Sequence, residues 1–206
     1  MIVAIDGTTA SGKGTLAREL ARHYGLARLD TGALYRAVAL AVLDGGGDVG
    51  DSAAAEAAAR ALDLAAIDEY RIRSGAVGQA ASVVAGNEKV RAILFEAQRA
   101  FAHQPGGAVL DGRDIGTVIC PDADVKFFVE ASLDERVRRR HAELAARGET
   151  VEFQVLRAQI ADRDERDRNR RFAPLRRADD AHLLDTTALS IGETVAVARR
   201  VIDAAR

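Results

Sequence analysis

Short apolar runs alternate along the chain with longer segments whose apolar positions repeat with the period of a helix. The short runs have the length and the uninterrupted apolar character of buried parallel strands. They predict strands at residues 2–5, 27–29, 108–110, 125–129 and 182–184, and the pattern is weakest at 27–29. The longer segments predict helices at residues 13–23, 34–43, 53–62, 88–102, 133–146, 151–163 and 191–205. Strands that alternate with helices predict an α/β fold, with helices on both faces of a parallel sheet.

Local signals mark the ends of several predicted helices. Gly25 is placed to end the first helix and the glycines at 45–47 the second, because glycine accepts the backbone conformation that often closes a helix. Ser190 and Glu193 have the spacing of a capping box, which predicts the start of the last helix. With 206 residues, the chain has the size of one α/β domain that buries a substantial core.

Composition narrows the class of protein. A hydrophobic content of 48% and a charged content of 29% are ordinary for a globular protein, and the net charge is −2. This balance predicts neither a nucleic-acid partner nor a membrane partner. Cys120 is the single cysteine, so no intrachain disulfide forms, which favours a reducing compartment. No basic segment precedes the first apolar run, which ends at Asp6; we therefore expect no signal peptide and a cytoplasmic protein.

A glycine-rich loop connects the first predicted strand to the first predicted helix. It consists of Gly7, Thr8, Thr9, Ala10, Ser11, Gly12, Lys13, Gly14 and Thr15. Gly-x-x-x-x-Gly-Lys in this position is the pattern of a phosphate-binding loop, whose backbone N–H groups surround phosphate oxygens at a helix N-terminus. Lys13 adds a full positive charge. The alternative is a glycine turn with an incidental lysine. The chain has only three lysines, so chance seldom places one at this position, which argues against that alternative.

The residue after the lysine departs from the usual pattern. Most such loops carry Ser or Thr there, whose hydroxyl reaches Mg²⁺, and this chain carries Gly14. We therefore expect nucleotide phosphates and water, rather than the loop, to hold the metal, and its protein ligands stay unknown.

Polar residues also follow the second and third predicted strands. Because the carboxyl ends of parallel strands meet at one edge of a sheet, these residues are expected beside the glycine-rich loop. After the second strand, Thr31 is placed to cap the next helix, and Arg36 lies further along that helix. A solvated helix arginine is the alternative for Arg36.

The cluster after the third strand has a stronger pattern. Asp111 ends the strand and is placed to orient Mg²⁺-bound water. Arg113 is suited to clamp a phosphate with two parallel hydrogen bonds, and Asp114 to accept one from an exocyclic amine. An Asp-Gly turn with a local ion pair is the alternative.

Arginines concentrate between residues 136 and 171, which contain eleven of them against seven acidic residues. On a helix, Arg163, Asp167 and either Arg170 or Arg171 share one face, and such a face suits a phosphate beside a ribose. Arg136, Arg139 and Arg140 are predicted to form a face of the preceding helix. Two basic helices joined by a glycine predict a lid over a phosphate site, and solvated helix faces with weak ion pairs are the alternative.

With these motifs in place, the chain resembles the bacterial cytidylate kinases, a family of nucleoside monophosphate kinases. The matching stretches are residues 5–15, 30–36, 80–85, 90–91, 98–101, 111–118 and 163–175. Among them, DGRDIGT at 111–117 and RDERDRNR at 163–170 are far more specific than the glycine-rich loop. The resemblance runs almost from end to end in one order.

The resemblance implies transfer of the ATP γ-phosphoryl group to CMP or dCMP, with Mg²⁺, by a monomer that acts on small molecules. Residues 7–15 would bind ATP. The implied catalytic residues are Lys13, Asp111, Arg113, Arg136 and Arg140. The implied acceptor residues are Thr31, Ser82, Arg91 and Asp114 for the nucleotide, Arg36, Arg113 and Arg170 for its phosphate, and Arg163 and Asp167 for its sugar. Of these acceptor residues, Ser82, Arg91 and Asp114 would recognise the cytosine edge.

The resemblance also implies a P-loop NTPase-type sheet of about five strands in the order 2-3-1-4-5 within a single kinase domain, residues 1–206. Its core would comprise residues 1–30, 104–132 and 172–206, with a monophosphate-binding subdomain at about 31–103 and a lid with its following helix at about 133–171. Longer members carry an inserted β-rich segment between Leu62 and Ser74, where this chain has about a dozen residues. The monophosphate-binding subdomain is therefore shortened.

Two other classes of protein remain as alternatives at this point. An adenylate-kinase-like or shikimate-kinase-like enzyme shares the loop but lacks Ser82, Arg91 and the run at 163–171. A nucleotide-dependent switch hydrolyses its nucleotide without an acceptor, and Gly14 in place of Ser or Thr argues against it.

Overall fold

The computed structural model describes residues 1–63 and 66–206, and within them five parallel strands form one sheet. The strands are β1 (Ile2–Gly7), β2 (Ala27–Asp30), β3 (Ala108–Gly112), β4 (Val125–Glu130) and β5 (His182–Asp185). Their order is β2-β3-β1-β4-β5, which confirms the expected order. Each strand continues one or two residues past its predicted end, because backbone pairing extends to polar residues such as Asp30 beside Asp111.

Eight α-helices lie in the described residues. They are α1 (Lys13–Tyr24), α2 (Thr31–Asp44), α3 (Ser52–Arg60), α4 (Gly75–Val84), α5 (Glu88–Ala102), α6 (Leu133–Ala146), α7 (Phe153–Asn169) and α8 (Ile191–Ala204). Seven correspond to predicted helices, and α4 does not. Its sequence is small and apolar on most sides, so it lacks a helical repeat of polar positions. In contrast, α7 runs past its predicted end at 163, since its last turns are charged on nearly every side.

The predicted helix ends are mostly confirmed. Gly25 ends α1 with a left-handed backbone (φ 66°). After α2, Gly45 is the capping residue, and the left-handed backbone belongs to Gly46 (φ 69°). The side chains of Ser190 and Glu193 form both hydrogen bonds of the capping box at the start of α8. The expectation that Thr31 caps α2 is wrong, because the Asp30 carboxylate accepts from the Ala33 N–H and is itself the cap.

Helices cover both faces of the sheet. Val3 and Ile5 pack with α1 and α8 in one buried cluster, whereas Ala4 packs with the end of α5 in another. This alternation follows from the two-residue repeat of a strand. Because the helices cover the two faces of the sheet, the carboxyl ends of the strands form an open edge where side chains can meet.

Two further clusters lie away from the sheet. Helices α2, α3, α4 and α5 share buried apolar residues such as Leu34 and Val84, and the α6–α7 pair has its own small core around Val137 and Ile160. In the shortened segment, Ile72 is fully buried, and residues 64 and 65 lie outside the described residues. The division into a core, a monophosphate-binding subdomain and a lid stays a prediction.

Candidate active site

The three predicted polar clusters line one cleft of about 230 Å³ at the carboxyl edge of the sheet. Strand register explains why they meet, since Asp111 on β3 lies beside both Ile5 on β1 and Asp30 on β2. The cationic residues of the cleft are Lys13, Arg36, Arg73, Arg91, Arg113, Arg140, Arg163 and Arg170. The acidic ones are Asp30, Asp111, Asp114, Glu143 and Asp167. Eight cations against five carboxylates give the cleft an affinity for anions.

The glycine-rich loop has the backbone of a phosphate site. Gly12 directly precedes α1 with a left-handed backbone (φ 92°), which turns the loop into the helix N-terminus. Gly7 lies against β4, and a Cβ there would come within 2.0 Å of the Val129 carbonyl oxygen. The Ser11 hydroxyl donates to the Thr8 carbonyl at 2.9 Å, which holds the loop from inside. The loop conformation therefore depends on glycine at positions 7 and 12.

Two side chains of the loop, Lys13 and Thr8, retain hydrogen-bonding capacity for a ligand. Lys13 Nζ donates to the Thr8 carbonyl oxygen at 3.2 Å, and burial, together with the charge of Arg113, lowers the pKa of Lys13 to about 7. A phosphate group would reverse that shift by stabilising the ammonium form. The Thr8 hydroxyl is buried without a hydrogen-bond partner among the described residues. Thr15 is half-buried in the first turn of α1.

Asp111 points at the start of α1 from the end of β3. Its Oδ1 accepts from Arg28 Nη2 at 3.0 Å, and its Oδ2 would lie 3.4 Å from a Cβ at Gly14. Burial and the nearby Asp30 raise the pKa of Asp111 to about 6, whereas Arg28 and Lys13 act in the opposite direction. The carboxylate is thus oriented toward the phosphate loop. Sequence reasoning missed Arg28, because β2 has the weakest strand pattern.

Asp6 is a second residue that sequence reasoning missed. It ends the first apolar run, and its two carboxylate oxygens accept from the Ile115 and Gly116 N–H groups at 2.8 Å each. Burial raises the pKa of Asp6 to about 7, despite these two hydrogen bonds. A single acidic residue in a buried strand is the signal that marks it. Asp6 holds the turn after Asp114 against β1.

Arginine–aspartate pairs build the opposite wall of the cleft. Arg113 Nε donates to Asp167 Oδ2 at 2.8 Å, and the charges of Arg113 and Arg163, against the effect of burial, hold the pKa of Asp167 below its usual range. Asp114 accepts from Arg91 through one oxygen and from Arg170 Nη2, at 3.4 Å, through the other. All six of these residues line the cleft.

Arg36 and Thr31 lie beside this wall. Arg36 Nη2 donates to Asp30 at 2.8 Å, and its Nε has no partner among the described residues. The Thr31 hydroxyl donates to the Asp111 carbonyl oxygen at 2.9 Å, so that its two lone pairs remain for a ligand.

Arg163 is a cleft arginine with an unused hydrogen-bond donor. Nη1 donates to the Gly78 carbonyl oxygen at 3.1 Å, and Nε has no partner within the described chain. Burial and the neighbouring Arg113 lower the pKa of Arg163 to about 10. A buried guanidinium with an unused donor is a site for an anion or a hydroxyl group.

Ser82 lies on α4, the helix that sequence patterning did not predict. Its hydroxyl is buried without a partner among the described residues, and its neighbours Gly78, Ala81 and Ala85 line the cleft although Ser82 itself does not. Next to this helix, the Arg91 guanidinium lies 5.4 Å from the centre of the Tyr35 ring. This end of the cleft therefore combines an arginine–aromatic contact with a buried, unused hydroxyl beside it.

The three arginines predicted to share a face of α6 do not lie together. Arg140 lines the cleft and pairs with Glu143 at 2.8 Å. Arg139 donates to the carbonyl oxygens of Ser11 at 3.3 Å and of Thr186 at 2.7 Å. Arg136 is buried at the base of α6 beside the phosphate loop. Two of the three thus contact the loop backbone, and only Arg140 faces the cleft.

The turn between α6 and α7 rests on the shortened segment. Glu149 Oε2 accepts from the Gly75 N–H at 2.9 Å, which caps α4 with a negative charge. Arg147 donates to the Tyr70 carbonyl oxygen at 2.9 Å, and its guanidinium lies 4.5 Å from the centre of the Tyr70 ring. These contacts join the α6–α7 turn to residues 70–75.

Comparison with known proteins identifies the family to which the chain belongs. A model of the cytidylate kinase family matches residues 3–204, nearly the entire chain. The chain belongs to the cytidylate kinase family. A cytidylate kinase of Methylobacterium sp. (strain 4-46) is 61% identical over 88% of this chain and 86% of its own length. A cytidylate kinase of Xanthobacter autotrophicus is 56% identical over 100% of this chain and 99% of its own length.

Two solved structures share the fold at low sequence identity. An uncharacterized protein from Eubacterium ventriosum has a TM-score of 0.60 and 15% identity over 98% of each chain. TT1252 from Thermus thermophilus has a TM-score of 0.51 and 21% identity over 99% of this chain and 96% of its own. They support the architecture alone.

Family membership confirms the kinase activity implied by the resemblance, phosphoryl transfer to a cytidine monophosphate in nucleotide metabolism. It decides against both alternatives, the adenylate- or shikimate-kinase-like enzyme and the nucleotide-dependent switch. No helix in the described parts of the chain is long and apolar enough to cross a bilayer. Nor do residues 1–63 and 66–206 contain three or more His, Cys, Asp or Glu side chains placed to hold a metal ion.

Proposed function

We propose that the cleft transfers the γ-phosphoryl group of ATP directly to the 5′-phosphate of CMP or dCMP, which yields ADP and CDP or dCDP. The observation that carries the proposal is the shared cleft, in which the phosphate loop with Lys13 faces Arg36, Arg113, Arg163 and Arg170. The loop side and the arginine side of the cleft each suit one phosphate-bearing ligand. A site for two phosphate-bearing ligands suits transfer between nucleotides better than hydrolysis.

On the donor side, residues 7–15 bind the ATP phosphates. The backbone N–H groups around Gly12 surround phosphate oxygens, and Lys13 leaves the Thr8 carbonyl to meet the β- and γ-phosphates. The unpartnered Thr8 hydroxyl supplies one further donor at the same place.

On the acceptor side, arginines bind the monophosphate. Arg36, Arg113 and Arg170 each form an ion pair with a carboxylate and retain further N–H groups for phosphate oxygens, since a guanidinium has five donors. Arg163 and Asp167, one turn apart on α7, hold the sugar. Thr31 completes the nucleotide contacts.

The base lies at the far end of the cleft. A cytosine edge presents an exocyclic amine, which donates, and a ring nitrogen and a carbonyl, which accept. Asp114 accepts from the amine, and Arg91 and the unpartnered Ser82 hydroxyl donate to the other two atoms. These three residues give the site its preference for cytosine over uracil, whose edge has the opposite polarity at the exocyclic position.

The transfer step needs no general base, because the acceptor phosphate is already ionised. An oxygen of the CMP phosphate forms a bond to the γ-phosphorus as the bond to the β,γ-bridging oxygen breaks, and ADP leaves with the electron pair. Lys13, Arg113 and Arg140 stabilise the negative charge on the transferring group, and Arg136 orders the loop that holds it. Closure of residues 133–171 over the cleft excludes water and thereby suppresses ATP hydrolysis.

The donor set of the cleft fits Mg²⁺ held through water. Asp111 offers one oxygen toward the start of α1, and Gly14 offers no hydroxyl. Asp111 would therefore hold the ion through water, and the nucleotide phosphates would be its direct ligands. When bound, the ion neutralises charge on the β- and γ-phosphates. We further propose that the enzyme acts as a monomer in the cytoplasm, without a nucleic-acid partner.

Steady-state kinetics with CMP, dCMP, UMP and AMP test the proposal, with ATP and Mg²⁺ present throughout. We expect CMP or dCMP to be the preferred acceptor and ATP consumption to depend on the acceptor. A preference for UMP or AMP would contradict the cytosine assignment, and acceptor-independent ATP consumption would contradict phosphoryl transfer.

A further inference from the structure

Thr9 of the phosphate loop is held through all three of its polar groups. Its N–H donates to Asp164 Oδ1 at 3.4 Å, and its carbonyl oxygen accepts from Arg136 Nη1 at 3.2 Å. Its hydroxyl accepts from Arg113 Nη2 at 2.8 Å. Three distant parts of the chain, α6, α7 and the turn after β3, therefore meet at one residue of the loop.

Two of these partners form an ion pair of their own. Arg136 Nη1 lies 2.6 Å from Asp164 Oδ2, and the exposed fractions of the two side chains are only 6% and 3%. Arg136 Nε also donates to the Ala131 carbonyl oxygen at 3.0 Å, which fixes the plane of the guanidinium. A buried ion pair is costly unless its remaining donors and acceptors find partners, and the Thr9 backbone provides one to each member of the pair: its N–H to Asp164 and its carbonyl oxygen to Arg136. The ion pair and the Thr9 backbone thus form one network.

We infer that Asp164 is a positioning residue for phosphoryl transfer, acting through Arg136 and the Thr9 peptide rather than on a substrate. This inference rests on the proposed function. Asp164 does not line the cleft, whereas Arg163 beside it and Asp167 one turn later do. Its pairing therefore ties the phosphate loop, which holds the donor, to the helix face that holds the acceptor sugar. When α7 rests on the loop, donor and acceptor are placed relative to each other.

The chain allows a test that separates positioning from a purely structural role. Asp164→Asn keeps an oxygen that accepts from the Thr9 N–H but removes the charge that holds Arg136. We expect kcat to fall about 100-fold, as a displacement of about 1 Å in an active site does, with the KM for CMP changed by less than about threefold. Asp162→Asn is the matched control, because Asp162 lies exposed on the same helix, and it should behave as wild type.

A double-mutant cycle shows whether Asp164 acts through Arg136. In an Arg136→Met background, Asp164→Leu should lower kcat by less than about threefold. Asp164→Leu alone should lower the unfolding temperature, because it leaves Arg136 buried without its carboxylate, and the double variant that combines Arg136→Met with Asp164→Leu should regain it. An equal loss of kcat in both backgrounds would overturn the inference. So would an unchanged kcat in folded Asp164→Asn.

Hydrogen exchange provides a readout that does not depend on activity. Asp164→Asn should increase exchange at the loop amides within residues 7–12, whereas Asp162→Asn should not. Unchanged exchange at these amides in Asp164→Asn would overturn the inference even if the wild-type enzyme phosphorylates CMP. If the wild-type enzyme fails to phosphorylate CMP but Asp164→Asn still increases exchange at these amides relative to wild type, the proposed function alone would be refuted.

Discussion

The donor and acceptor sides of the cleft are built in different ways. The donor side is one contiguous loop, residues 7–15, shaped by its own backbone and closed by a hydrogen bond from Ser11 to Thr8. The acceptor side consists of side chains that are far apart in sequence, since Arg91 and Asp114 are 23 residues apart and Arg113 and Asp167 are 54 apart. One side therefore depends on where backbone atoms fit, and the other on charges brought together by the fold.

This difference predicts opposite vulnerabilities. The donor side has no room for an added atom at Gly7, whereas the acceptor side has carboxylates that stay buried but lose an ion-pair partner when an arginine is removed. Substitutions that enlarge a residue should damage the first, and substitutions that truncate one should damage the second.

The largest expected effect is on the acceptor side. Arg113→Ala removes the proposed phosphate clamp and leaves Asp167 with a weaker partner, because Arg170 lies 4.0 Å away. We expect turnover to fall by about 10³- to 10⁵-fold, the range for an arginine that stabilises phosphoryl transfer. Steady-state kinetics measure this loss, and circular dichroism establishes that the variant folds. Arg200→Ala, an exposed control on α8, should keep full turnover, and near-normal activity of Arg113→Ala would remove it from the mechanism.

The same contrast explains which features of the molecule sequence alone could predict. The glycine-rich loop, the positions of the five strands and seven of the helices depend on local patterns, whereas the strand order is implied by the resemblance, and the structure confirms both. Ser82 has no local signal, because it lies on a helix with few polar positions, so that only the resemblance to cytidylate kinases indicated it. The separate directions of Arg136 and Arg140 depend on what packs against α6, which helical periodicity does not contain.

The donor side should fail when an atom is added. In Gly7→Ala the new Cβ would lie 2.0 Å from the Val129 carbonyl oxygen, so β1 and β4 would have to separate. We expect a loss of about 3 kcal/mol in the free energy of unfolding, at the upper end for overpacking because the obstructing atom is backbone. Denaturant titration measures it. Gly192→Ala is the control, since its Cβ would meet nothing closer than 4.0 Å, and a similar loss there would exclude the steric explanation.

Ser82→Ala tests whether an acceptor residue serves binding or stability. Because the hydroxyl is buried without a partner, its removal should leave the unfolding temperature unchanged or slightly higher. Loss of one hydrogen bond to the base should raise the KM for CMP about fivefold, equivalent to about 1 kcal/mol. Thr117→Val removes another buried, unpartnered hydroxyl and should leave KM unchanged. A KM for CMP that stays at the wild-type value in Ser82→Ala would assign base recognition to Arg91 and Asp114 alone.

The smallest expected effect is a proton taken up on the donor side alone. Burial and the charge of Arg113 lower the pKa of Lys13 to about 7, so at pH 8 the empty enzyme holds this side chain mostly neutral. ATP phosphates favour the ammonium form and raise that pKa, so that binding takes up a proton and weakens as the pH rises above 7. Calorimetry of ATP binding at pH 8 in buffers of different ionisation enthalpy should report an uptake approaching one proton. Lys13→Met should abolish this proton uptake. Binding of CMP should cause no uptake, because the arginines that it meets remain charged at pH 8. Equal proton uptake with ATP and with CMP would contradict the contrast between the two sides.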